Sequence, residues 1–85
     1  MITVYYFSTT TCGPCKTYKP IVQQVAAEQG IEITYVDAQQ DQALTAKYGI
    51  TSVPTIAVVK NGHMLYRHTG MLLKGQLSNI LKSLQ

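Results

Sequence analysis

Cys12 and Cys15 are the only cysteines of the 85-residue chain, with Gly13 and Pro14 between them. Two cysteines so spaced at a helix start can close a disulfide with little backbone movement. The reactive species is the thiolate, not the thiol. A helix N-terminus favours an anion, because its first N–H groups are unpaired and its dipole points the positive end there. Cys12 falls at or next to the N-cap, so its sulfur feels this most, and Lys16 and Lys19 add positive potential. Cys15 lies one turn further in and faces the core. The expected roles follow: Cys12 attacks a disulfide, and Cys15 resolves the mixed disulfide that results. Gly13 allows close backbone approach, and Pro14 suits the first helical turn.

Other readings of a Cys-x-x-Cys exist. It can be half of a zinc site or part of a cluster shared between chains. His63 and His68 are the only histidines. They fall on one predicted strand with odd spacing, so they point to opposite faces and read as surface residues. No metal site and no cofactor is expected. A purely structural disulfide is disfavoured by the reducing cytoplasm in which the chain is expected to reside.

These residues need elements to position them. Ile2–Phe7, β-branched and aromatic, reads as a buried strand. From Pro14 the apolar residues Tyr18, Ile21, Val22, Val25 and Ala26 follow helical spacing, and Gly30 marks the end. Pro20 removes a hydrogen bond inside this helix, so a kink is expected there. Ile31–Val36 reads as a second strand and Ala43–Tyr48 as a short helix. Thr55–Lys60 and His63–Thr69 form a hairpin across Asn61-Gly62, the residue pair of a type I′ turn. Leu73, Leu77, Ile80, Leu81 and Leu84 make a last amphipathic helix. The order β-α-β-α-β-β-α is an α/β fold with a four-stranded mixed sheet, in one domain over residues 1–85. The expected sheet order is second, first, third, fourth strand. The long helix and the last helix are expected on opposite faces or separated by the sheet. The core should hold Val4, Ile21, Val22, Val25, Ile33, Ile56, Val58, Leu77, Ile80 and Leu81.

Composition narrows the function classes. Hydrophobic residues make up 46% and charged residues 13%, which supports a core and argues against disorder. The net charge of +3 is scattered, with no basic stripe. A nucleic-acid partner is not expected. No apolar run approaches a membrane span, and the N-terminus lacks the features of a signal peptide. The expected location is the cytoplasm.

Cys12-Gly13-Pro14-Cys15 followed by Lys16, Pro20, Ser52-Val53-Pro54-Thr55, Lys60-Asn61-Gly62 and Gly70 resembles the thioredoxin family over almost the whole chain. Asp37, Lys47-Tyr48-Gly49-Ile50 and Lys74-Gly75-Gln76-Leu77 extend the match. The resemblance implies a minimal thioredoxin fold and dithiol–disulfide exchange. It also implies a cis Val53–Pro54 bond, with Pro54 packed beside the disulfide. Val53 would then offer its backbone to an extended substrate, and Gly13, Pro14, Val53, Pro54, Thr55 and Gly70 would form the motif and binding surface. The implied partners are a thioredoxin reductase as electron donor and disulfide-containing protein substrates. A monomer is expected.

The chain departs from that pattern in places. It begins at what would be the family's central strand, as glutaredoxins do. Thr11 stands where a tryptophan usually precedes the motif. Tyr6 stands where the family has a buried aspartate that takes the proton of the second cysteine, and Ile33 replaces that aspartate's lysine neighbour. Whether Tyr6 faces Cys15 is open at this level. Met71 and Leu72, after Gly70, read equally as an apolar rim or as core. Two rival functions remain: a glutathione-linked glutaredoxin, and a non-catalytic binding subunit on the same fold.

Overall fold

The computed structural model describes residues 2–85. Its elements are β1 (Thr3–Ser8), α1 (Gly13–Gln29), β2 (Ile33–Asp37), α2 (Gln42–Lys47), β3 (Thr55–Lys60), β4 (His63–Thr69) and α3 (Lys74–Leu84). The sheet runs β2-β1-β3-β4, with β1 and β2 parallel and the other pairs antiparallel. Order and mixed pairing are those expected from sequence.

Local chemistry explains the boundaries. Asn61 and Gly62 both take positive φ, 53° and 80°, which is what a tight hairpin turn requires. Gly30 caps α1 with its N–H directed to the Ala26 and Ala27 carbonyls. Asp41 caps α2 by accepting the Leu44 N–H at 3.1 Å. The Gln76 side chain accepts the Leu73 N–H at 3.1 Å and closes the start of α3. Helix α1 continues through Pro20. The hairpin carries an irregularity at Val58/Val59, where Tyr66 and Met64 are their partners and Leu65 is left over and exposed.

One face of the sheet carries Val4, Tyr6, Ile56 and Val58, covered by Tyr18, Val22 and Val25 of α1 and by Leu77 and Leu81 of α3. This corrects the expectation for the helices: α1 and α3 share a face. A helix is about 10 Å wide and strands lie about 4.8 Å apart, so one helix spans about two strands. Two helices side by side are needed to dry a four-stranded face. The opposite face carries Phe7, Val36 and Ala57 with Ile50, flanked by Leu44, Tyr48 and Tyr5. Arg67 of β4 donates to the Tyr48 carbonyl at 2.9 Å and to the Gly49 carbonyl at 3.3 Å, tying the end of α2 to the sheet. Ile21, Ile33 and Ile80 are half-buried and lie at the margin of the core, not inside it.

Candidate active site

The strand register decides which loops meet. Phe7 of β1 pairs with Thr55 of β3, and Thr55 pairs with Thr69 of β4. The chain reaches Cys12 just beyond the first, Pro54 just before the second and Gly70 just after the third. Three loops therefore leave the same end of the sheet.

Cys12 is the N-cap of α1, with extended backbone (φ −86°, ψ 106°). Its Sγ is joined to that of Cys15, with Cα atoms 5.3 Å apart. The same Sγ accepts the Cys15 backbone N–H at 3.1 Å. Once the disulfide is reduced, that bond and the helix dipole act on a thiolate, where a charge-assisted bond is stronger. Cys12 is half-exposed, whereas Cys15 is only 3% exposed. Gly13 and Pro14 fill the first two helical positions and are exposed. A Cβ on Gly13 would meet nothing within 4 Å, so its backbone is open to an approaching molecule. Lys16 is exposed, and Lys19 places its Nζ 4.9 Å from the Tyr35 ring centroid.

The second and third loops are tied together. The Gly70 N–H donates to the Pro54 carbonyl at 2.8 Å. Gly70 holds φ at 98°, a conformation that disfavours any side chain. Thr55 Oγ1 donates to the Ser52 carbonyl at 2.6 Å and lies 3.1 Å from Thr69 Oγ1. The Val53–Pro54 bond is cis. Pro54 and Thr55 are buried, and Val53 packs half-buried against the second core. A groove of about 220 Å³ opens beside this corner, lined by Thr9, Ala38, Thr51, Ser52 and Val53 among others. A larger groove of about 730 Å³ lies at the other end of the sheet, between Ile2, Gly30, Lys60 and Leu84, and no cysteine lines it.

The direction of Tyr6, open from sequence, is settled by how β1 packs against α1. The side chain lies on the face of α1, and its Oη donates to the Cys15 carbonyl at 2.7 Å. It is fully buried. Burial, then the neighbouring Tyr18 and Tyr35, push its phenol up to about 12. At neutral pH it is therefore a donor, not a base. Met71 and Leu72 part company: Met71 is 46% exposed, and Leu72 packs on the main core. His63 is exposed, while the half-buried His68 stacks on the Tyr66 ring. Among the described residues, no three His, Cys, Asp or Glu side chains gather as metal ligands. Nor, among them, is any helix long and apolar enough to cross a membrane.

Comparison with known proteins agrees with this geometry. The thioredoxin family model matches residues 1–83. The thioredoxin of Haemophilus influenzae is 35% identical over 72 residues, covering 82% of this chain and 67% of the relative. That of Bacillus subtilis is 32% identical over 72 residues, covering 82% and 69%. Among solved structures, a mutant thioredoxin from Halobacterium salinarum NRC-1 superposes with a TM-score of 0.90 at 26% identity, covering 96% of this chain and 73% of its own. The structure of thioredoxin-2, described as a component of malaria parasite protein secretion machinery, gives 0.89 at 26% identity, covering 98% and 82%. With a Cys12–Cys15 pair at the head of α1, a β2-β1-β3-β4 sheet and these relatives, the chain belongs to the thioredoxin family and is a thiol–disulfide oxidoreductase.

Proposed function

We propose that the chain reduces disulfides in protein substrates. The observation that carries this is the asymmetry of the pair: Cys12 is half-exposed at a helix N-terminus, and Cys15 is buried within bonding reach of it. The Cys12 thiolate attacks a substrate disulfide, forms a mixed disulfide and expels one substrate thiolate. Cys15, as thiolate, then attacks Cys12 Sγ and expels the second. Two electrons pass from the dithiol to the substrate, and the protein is left oxidised.

Gly13, Pro14, Val53, Pro54, Thr55 and Gly70 form the binding surface in this reading. What supports it is their meeting at one end of the sheet and the open space over Gly13. An extended segment laid there meets main-chain groups and few charges, so recognition is broad. A flavin-dependent thioredoxin reductase returns the electrons, and the protein works as a monomer in the cytoplasm. The thioredoxin relatives do not favour a glutathione-linked glutaredoxin or a non-catalytic binding subunit.

The test is reduction of insulin disulfides driven by dithiothreitol. The wild-type chain should accelerate precipitation of the insulin B chain, and Cys12→Ser should fall to the uncatalysed background. Full activity in Cys12→Ser would remove the assignment. Rapid turnover coupled to glutathione and glutathione reductase would move the chain to the rival class.

A further inference from the structure

The resolving cysteine must lose a proton and reach the sulfur of Cys12 while that sulfur carries the substrate. Tyr6 stands on the central strand β1 and holds the Cys15 carbonyl through a 2.7 Å hydrogen bond. Its ring is fixed by Tyr18 at 5.9 Å and by Tyr35 at 6.0 Å between centroids. The Cys15 residue is thus gripped twice, by Tyr6 at its carbonyl and by Cys12 Sγ at its N–H. Of these two, the Tyr6 grip is the one independent of what Cys12 is bonded to.

Among the described residues no carboxylate side chain is hydrogen-bonded to Tyr6 or Cys15, although Asp37, in register with Ser8, lies at this end of the sheet. There are four acidic residues. Glu28 pairs with Lys74 at 3.2 Å, Asp37 accepts the Gln39 N–H at 2.9 Å, and Asp41 caps α2. Glu32 lines the groove at the far end of the sheet. The other titratable groups on this face of the sheet include tyrosines, Lys19 and His68, the last in register with Ile56 and stacked on Tyr66. Tyr18 lies on α1 and Tyr35 on β2 with Lys19 over it, while Tyr66 of β4 packs against the same core. From β3 and α3 the same core takes Ile56, Val58, Leu77 and Leu81.

We infer that Tyr6 is a positioning residue for Cys15, anchoring the first turn of α1 to β1, and that Cys15 gives its proton to solvent base instead of to a group of the protein. This rests on the proposed roles of Cys12 and Cys15. The step balances: water or hydroxide takes the Cys15 proton, a Cys15–Cys12 S–S bond forms, the bond from Cys12 to the substrate sulfur breaks, and the departing thiolate is protonated by water.

The experiment needs no protein substrate. Reduced protein is mixed with glutathione disulfide, quenched with acid at intervals and weighed by mass spectrometry, which separates capture of glutathione on Cys12 from ring closure. In Tyr6→Phe, capture should stay within about twofold, and ring closure should slow by about fivefold, the factor expected for one hydrogen bond. The pH midpoint of ring closure should be the same in both proteins. A role in stability alone would not slow one step and spare the other. Ring closure at the wild-type rate in Tyr6→Phe, or a midpoint that moves, overturns the inference and leaves the cysteine roles standing. A Cys15→Ala variant that clears its glutathione adduct as fast as the wild type overturns those roles and the inference with them. Should Tyr6→Phe not fold, the wild-type profile decides alone: one ionisation in the thiol range supports solvent as acceptor, and a second one overturns it.

Discussion

A sulfur at an N-cap and a sulfur one turn later differ in everything that matters for exchange: exposure, nearby N–H groups and freedom to move. Cys12 and Cys15 share a motif but not an environment, because α1 puts one at its open end and turns the other toward the sheet. Tyr6 adds a second residue-level effect. Its phenol is held at about 12 in the folded chain, against 10.0 for an ordinary tyrosine. Between those values the unfolded chain has released a proton that the folded chain retains, so stability falls as pH rises. The contribution is complete below pH 10 and is lost across the interval up to about 12. Tyr18 shifts in the same direction, mainly through burial. Its hydroxyl is buried without a hydrogen bond, although the Leu72 backbone lies near enough to offset part of that shift. Urea midpoints measured from pH 8 upward should stay level to about pH 10 and then drop, and Tyr6→Phe should flatten part of the drop. A midpoint indifferent to pH across that window would contradict the burial of these phenols.

At the scale of elements, much is legible in the residue pattern. Asn61-Gly62 sets the hairpin, and β3 and β4 have the bounds read from sequence. The cysteine pair at the head of α1 is legible for the same reason: a motif at a strand-to-helix junction has one place to go. Two things are not legible. The run Val4–Phe7 is apolar at every position because β1 is buried on both faces, so its alternation carries no phase and the direction of Tyr6 cannot be read from it. The face taken by α3 is hidden because an amphipathic helix announces that it has an apolar side, not which side of a sheet receives it. Asp41 before α2 is a readable cap signal that a reading guided by apolar spacing passes over. The shared face has an energetic consequence. Leu81 is fully buried between α3 and the sheet, so Leu81→Ala should cost about 2–5 kcal/mol in urea unfolding. The variant should still close its disulfide, because α3 contributes no group to the cysteine pair. A loss below about 0.5 kcal/mol, typical of a surface site, would place α3 off the core.

As a whole the molecule is flat: its extents are 29 × 29 × 17 Å, and the Cα radius of gyration is 11.8 Å. A compact chain of this length should have about 12 Å, so no segment among the described residues protrudes. Small-angle scattering of the proposed monomer should give about 12–14 Å once hydration is included, independent of concentration. A radius that grows with concentration would point to pairing through an open sheet edge. The β4 edge is guarded by the bulge that interrupts it beside Leu65.

The two ends of the sheet have divided the labour. Thr3, Lys60 and His63 sit at one rim, and Phe7, Thr55 and Thr69 at the other. Four to six strand steps at about 3.3 Å each separate them by about 13–20 Å. A dye, a bead or a sensor surface coupled through the Lys60 amine would therefore hang on the far rim and leave the thiols facing the solution, which makes the chain a natural candidate for an immobilised reducing reagent.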